Sequence, residues 1–454
     1  MGDATLNASA PSAEETSALR LLLRALRYRN YRLFFLGQGI SVIGTWMQIT
    51  AMSWLVYRLT HSAFLLGAVG FVGQVPVGLL SPFAGVLADR WERRRMLLVT
   101  QGLAMLQALA LSLLVLTGTV AVWHIVVLAL FAGIVNAFDM PTRQSFVVDM
   151  VEDRADLGNA IALNSSLFNG ARLIGPTVAG ILIAAAGEGL CFLLNALSFL
   201  AVLIALLAMR LAPRPAEASR PAVLQGLREG LTYAFGFPPI RALLLFQALI
   251  SLVGMPYGVL LPVFAKEVLG GGAHTYGFLV SASGLGSLSG ALYLASRRSV
   301  RGLALRIAFF TVLVGVTLLA FSRSHWLGLS LAILAVLGFG MMVQMAASNT
   351  ILQTIVDDDK RGRVMSLYVM SFGGVAPFGS LLAGSTASAI GAPDTLLMAG
   401  VCCLAGAALF ALQLPRFRQH VSPIYARLGI IPEPPEPLPA PAEFSAPPDK
   451  EQSP

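Results

Sequence analysis

Twelve apolar runs, each ended by Gly, Pro or charge, succeed one another between residues 32 and 414. They cover 32–57, 64–88, 96–117, 121–142, 160–186, 190–210, 240–265, 275–296, 303–322, 326–355, 364–390 and 395–414. A helix needs about 20 apolar residues to cross a bilayer. Inside hydrocarbon the backbone must also satisfy its own N–H and C=O groups. The runs therefore predict an all-α membrane protein with twelve transmembrane helices. Composition decides the class in the same direction: 56% of the 454 residues are hydrophobic and 12% are charged. That is about half the charge of a soluble domain. Too few charges remain to coat a large soluble enzyme, and the chain is too apolar to be disordered.

The net charge of +8 is almost wholly arginine, because Lys266, Lys360 and Lys450 are the only lysines. The basic residues alternate between two sets of loops. One set holds Arg20, Arg24, Arg27 and Arg29, then Arg90, Arg93, Arg94 and Arg95, then Arg143 and Arg154. It continues through the 210–241 segment, Arg297, Arg298, Arg301, Lys360, Arg361 and the C-terminal tail. The other set has only Arg58, Lys266 and Arg323. The positive-inside rule makes the first set cytoplasmic, with both termini inside. The basic balance then reports topology, and nucleic acid is not expected as a partner. Cys191, Cys402 and Cys403 lie in apolar runs without metal spacing and read as small core residues.

Five segments follow. Residues 1–31 form a cytoplasmic N-terminal segment, and 32–210 a first six-helix bundle. Residues 211–239 are a cytoplasmic linker with Pro213, Pro215 and Pro221, then an amphipathic helix carrying Leu224, Leu227, Leu231 and Phe235 opposite Arg228 and Glu229. Residues 240–414 form a second bundle. The tail, 415–454, with Pro432, Pro434, Pro435, Pro437 and Pro439, reads as disordered. The halves repeat. At an offset of 204, Asp153 falls on Asp357, Leu163 on Leu367, Gly170 on Gly374, Gly175 on Gly379 and Gly180 on Gly384. Two pseudo-symmetric six-helix bundles about a central cavity are the expected architecture.

The turn between spans two and three reads Gly85-Val-Leu-Ala-Asp89-Arg90-Trp91-Glu92-Arg93-Arg94-Arg95. Its glycine permits close helix approach, and an acid there can bond the N–H groups at a neighbouring helix N-terminus. The arginines alone would serve equally as topology signals. This run resembles motif A of the major facilitator superfamily, with Glu92 standing where the family carries glycine. The resemblance implies a latch of the outward-open state, with Asp89 as cap and Arg93 bridging to Asp139. Span five carries Arg172-Leu-Ile-Gly175-Pro176-Thr-Val-Ala-Gly180. It resembles the superfamily's antiporter motif, associated with export. It also reads simply as a kink and packing motif. Phe138–Phe146, Asn159–Asn164 and the opening Tyr28–Gln48 resemble the enterobactin-exporter-like, transmembrane secretion effector subfamily. Over residues 20–410 that resemblance implies the bacterial inner membrane and efflux of a small molecule, siderophore-like or lipophilic and drug-like.

Polar residues inside the spans are the candidate site. Arg172 reads as the one basic residue at mid-membrane; insertion there costs about 3 kcal/mol, so it must face a cavity or a polar neighbour. Asn164, Phe168 and Arg172 share one helix face by their spacing of four. In span one Gln38, Ser41, Thr45 and Gln48 form a polar stripe, with Trp46 near it as a stacking surface. Asn136, Gln247 and Gln344 extend the set to spans four, seven and ten, which line the cavity in the superfamily. Each polar group reads either as cavity lining or as an interhelical hydrogen bond. An arginine suits an anionic or oxygen-rich substrate.

Asp139 is the acid with membrane depth, followed by Asp89 at a span end. Proton coupling is thus implied by the resemblance alone. No metal, nucleotide or Ser–His–Asp arrangement appears, so no enzyme, metal or cofactor is expected. The expected partners are a small-molecule substrate, the lipid bilayer and protons, and the expected state is a monomer. The reading is a secondary active exporter working by alternating access. Uptake by the same fold and a non-transporting scaffold or sensor are the alternatives.

Overall fold

The computed structural model describes residues 23–210, 223–297 and 299–430. The expectations on Arg20, Pro213, Pro215, Pro221, Arg298, Lys450 and the prolines from Pro432 onward lie outside those residues. So do the side chains of 81–90, 223–227 and 358–359. Twelve helices are long and apolar enough to cross a membrane. They are α1 Arg29–Thr60, α2 Ala63–Arg90, α3 Arg93–Leu116, α4 Val122–Met150, α5 Leu157–Ala186 and α6 Glu188–Ala208. The second six are α7 Pro238–Val268, α8 Ala273–Ala295, α9 Leu303–Ser322, α10 Leu327–Ile355, α11 Lys360–Ile390 and α12 Ala392–Arg427. A linker helix, Val223–Gly236, joins the two sets. Below, the end of the molecule holding Arg29 and the linker helix is the near end.

The helices pack as two bundles of the same plan. In the first, α1 lies on α5 and α6, α2 on α4, and α3 on α4 and α6. In the second, α7 lies on α11 and α12, α8 on α10, and α9 on α10 and α12. The offset of 204 has structural content. Gly187 breaks α5 from α6 at φ +80°, and Gly391 breaks α11 from α12 at φ +87°. Only glycine takes that backbone without strain. Gly175 packs on α1, where a Cβ would come within 2.6 Å of the Trp46 Cβ, and its counterpart Gly379 packs on α7 in the same way.

The bundles meet along two seams, α5 on α8 and α2 on α11. Both seams occupy the far halves of their helices. A Cβ on Gly180 would lie 2.9 Å from the Ala273 carbonyl oxygen, and one on Gly384 would lie 2.6 Å from that of Ala63. Gly277 and Gly67 complete the two contacts, so backbone lies against backbone. Thr177 donates to Ser281 at 2.6 Å, and Ser281 to the Leu173 carbonyl at 2.8 Å. Trp54 stacks on Tyr276 at 6.2 Å, and Tyr57 donates to Glu267, which ties α1 to the second bundle at the far end.

At the near end each bundle has a strap. The turn Arg24–Arg27 before α1 lies on the α4–α5 connection: Tyr28 donates to Asp156 at 2.8 Å. Arg27 pairs with Asp156 at 2.7 Å, and the hydrogen bond it gives Tyr28 raises its pKa from the ordinary value. The linker helix treats the α10–α11 connection alike, with Tyr233 donating to Asp357 at 3.1 Å. Glu229 pairs with Arg363 at 2.9 Å.

Three expectations need correction. The tail expected from 415 begins as helix, because α12 continues through Pro415 and Pro423 to Arg427. Leu414, Phe417 and Val421 keep one buried face along that extension. Their burial, about 1.5–3 kcal/mol each, offsets the roughly 3 kcal/mol that an interior proline costs. Span four likewise passes Pro141 and its expected end at 142 to reach Met150, which places Arg143 inside the helix. Cys402 is exposed while Cys191 and Cys403 are buried; neighbours on a helix lie about 100° apart, so the adjacent pair cannot share the core.

Candidate functional site

Arg172 stands on α5 where the seam stops, since its carbonyl oxygen is the atom a Cβ on Gly284 of α8 would meet at 3.0 Å. The side chain is half-buried, and its Cζ lies 5.6 Å from the centre of the Trp46 ring. Among the described residues no acid pairs with it. One turn nearer the near end, Phe168 carries a second guanidinium: the Cζ of Arg143 lies 5.1 Å from its ring centre. One turn further, the Asn164 Oδ1 is buried without a donor. The face spaced by four thus carries, in order, a lone acceptor, an aromatic platform and a cation.

The other amides divide into two groups. Gln48 donates to Gln107 at 2.9 Å and accepts from Asn195 at 2.8 Å, which spends its carboxamide on joining α1, α3 and α6. Gln247 and Gln344 are buried together, with Gln344 donating to Gln247 at 3.3 Å. Thr45 turns back on the Ser41 carbonyl at 2.9 Å. Gln38 is 1% exposed, and its Oε1 finds no donor. Asn136 is exposed on α4. Replacing Asn195 by Leu is therefore expected to lower stability by about 0.6–1.7 kcal/mol, the range for interhelical bonds in membranes. Thermal unfolding in detergent measures this, and turnover of the folded fraction is expected to stay unchanged.

The bridge expected from Arg93 to Asp139 is replaced by one to Asp149. Arg93 pairs with Asp149 at 3.1 Å and donates to the Ser145 carbonyl at 3.3 Å, and does not reach Asp139. The register explains it. Antiparallel α3 and α4 set Arg93 beside Asp149, Met96 beside Thr142 and Thr100 beside Asp139. Asp139 therefore lies two turns above Arg93. Arg94 donates to the Leu206 and Leu207 carbonyls at 2.8 and 3.0 Å, capping the end of α6. Glu92, at φ −63°, occupies backbone open to any residue. Gly85, Asp89 and Arg90 fall in the last turns of α2, where side chains lie outside the described residues. Gly175 sits buried in α5 on α1, while the carbonyl oxygen of buried Pro176 faces Gly277 of α8 and Gly180 packs on α8 as well.

Asp139 is 4% exposed. Thr100 and Gln101 donate to its Oδ1 at 2.8 and 2.7 Å, and Arg143 stands 3.3 Å from its Oδ2. Sequence reasoning placed Arg143 at a span end and missed this group. The signal was the spacing of four between Asp139 and Arg143. The far-end pair Arg58–Glu188, at 2.7 Å, was missed as well.

The transmembrane secretion effector family model matches residues 22–430. The staphyloferrin A transporter of Staphylococcus aureus is 28% identical over 81% of this chain and 92% of its own length. The multidrug efflux pump Tap of Mycolicibacterium fortuitum is 29% identical over 84% of this chain and 93% of its own. The enterobactin exporter EntS of Escherichia coli is 26% identical over 86% and 93%. Among solved structures, an inward-facing bacterial homologue of the human lysosomal transporter Spinster superposes with a TM-score of 0.69 at 15% identity, covering 87% of this chain and 98% of that one.

Proposed function

Because the chain belongs to the transmembrane secretion effector family of the major facilitator superfamily, we propose that it exports a small anionic or oxygen-rich molecule across the bacterial inner membrane by alternating access, in exchange for protons. The observation that carries this is Arg172. A half-buried guanidinium at mid-span, on an aromatic ring and without an acid beside it among the described residues, has desolvation to recover from a ligand. It sits where the closed far half of the molecule gives way to the near half, so a ligand entering from the near end meets it at the seam. Arginine positions planar anions with two hydrogen bonds, and Trp46 and Phe168 offer faces for stacking.

The basic near end supports a cytoplasmic location for both termini; reporter fusions at either end check it. The relatives named for efflux and export support the outward direction. Secretion and resistance profiling of a deletion strain, over a panel of siderophores and lipophilic drugs with and without an uncoupler, identifies the cargo. Everted vesicles then give the direction: an exporter fills them when they are energised, and an importer does not. Asp89→Asn is expected to slow cycling more than it weakens binding, as a cap at the near-end latch would. Normal turnover with altered affinity would sink that role.

A further inference from the structure

The surroundings of Asp139 can accommodate two charge states. Gln101 meets the carboxylate with its Nε2–H, at 2.7 Å, while its Oε1 is buried and idle. A carboxamide turned half over would present that oxygen to an acid O–H instead. Thr100 is also two-faced: its hydroxyl lies 2.8 Å from the Asp139 Oδ1 and 3.2 Å from the Leu97 carbonyl oxygen, so it keeps an acceptor if the carboxyl becomes an acid. The cation has a second seat too. Neutralising one member of a buried ion pair normally strands the other at a cost of several kcal/mol. Arg143 lies 3.3 Å from Asp139 on one side and 5.1 Å from the Phe168 ring centre on the other. The ring can hold it while the carboxyl is neutral.

The other charges near this point are fixed at the helix ends or elsewhere. On α3 they are Arg93, Arg94 and Arg95 at its start, with Arg93 held by Asp149 of α4. On α2 they are Asp89 and Arg90 in the last turn. On α1 they are Arg29 and Arg32 in the first turns and Arg58 in the last. On α5 the charge is Arg172, one turn beyond Phe168.

We propose that Asp139 takes up and releases the proton exchanged for the cargo, with Gln101 as the positioning residue that accepts the acid's O–H and Phe168 as the platform that holds Arg143 meanwhile. The proton adds to a carboxylate oxygen and leaves from the same atom; no other bond changes. The inference rests on the exporter reading and names its proton carrier.

Infrared titration of the purified full-length protein tests it without any cargo. A carboxylic C=O band that grows on acidification is expected in the difference between the wild type and Asp139→Asn, because the other carboxyl groups of the chain cancel there. Gln101→Leu removes the stronger bond, the one to the anion, and is expected to raise the band's midpoint by about one pH unit. Phe168→Leu removes the seat used by the cation in the neutral state and is expected to lower it. Opposite shifts from two apolar replacements are a signature that a purely structural acid would not give, and they decide the matter even if Asp139→Asn does not fold. A flat difference spectrum between the wild type and Asp139→Asn, or midpoints that stay put or move together, overturns the proposal. Everted vesicles that fail to fill would instead overturn the export direction and leave the titration standing.

Discussion

Arg172→Ala is expected to abolish transport while the protein stays folded in the membrane. Removing a cation from a desolvated contact with an anion costs about 2–5 kcal/mol, so apparent affinity is expected to fall by at least about thirtyfold. Stability is expected to hold, because the side chain forms no ion pair among the described residues and its main contact is the face of Trp46. Such a cation–π contact is worth about 0.5–2 kcal/mol. Arg172→Lys retains the charge but not the planar fork and is expected to recover part of the transport. Uptake into energised everted vesicles and quantitative membrane blots separate the two effects. Undiminished transport by Arg172→Ala would remove the binding assignment.

Gly67→Leu together with Gly180→Leu is expected to shift the molecule away from the far-closed conformer and to stop the cycle. Each side chain would enter a space that backbone now fills: at Gly180 a Cβ already meets the Ala273 carbonyl at 2.9 Å. Overpacking of this kind costs about 1–3 kcal/mol per site. Two sites on separate seams add to about 2–6 kcal/mol, enough to invert an equilibrium between two conformers. Spin-label distances across the far end, between labels on α2 and α11, measure the shift. An unchanged distance distribution would show that the seams do not hold the bundles together.

Arg172 and the repeated glycines were legible in the sequence to different depths. Arg172 announced itself by cost, since a cation inside an apolar run needs a reason. The glycines announced a period but not a partner. The offset of 204 paired Gly175 with Gly379 and Gly180 with Gly384. It could not say that the first pair packs on its own bundle and the second on the opposite one. Arg93 was misassigned because its partner depends on the register of α3 against α4, and that register depends on α4 continuing past Pro141. The amides defeated pattern reading for another reason. Gln48 and Gln38 share one helix, yet one is fully occupied by neighbouring amides and the other keeps an idle oxygen. Which of these holds depends on the groups opposite, two or more helices away in the chain.

The bare backbone contact between the bundles has an energetic meaning. A closure built from interlocked leucines would uncover apolar area each time it parted, at about 25 cal/mol per Å², and would refreeze rotamers each time it shut. Where Gly67 meets Gly384 and Gly180 meets Gly277 there is little oily area to wet and no rotamer to lose. Separation then hinges on a few side-chain contacts, among them the Trp54–Tyr276 and Phe71–Phe378 ring pairs and the Thr177–Ser281 hydrogen bond. Under the proposed alternating access, the glycine contacts themselves would add little to the work of parting the far half.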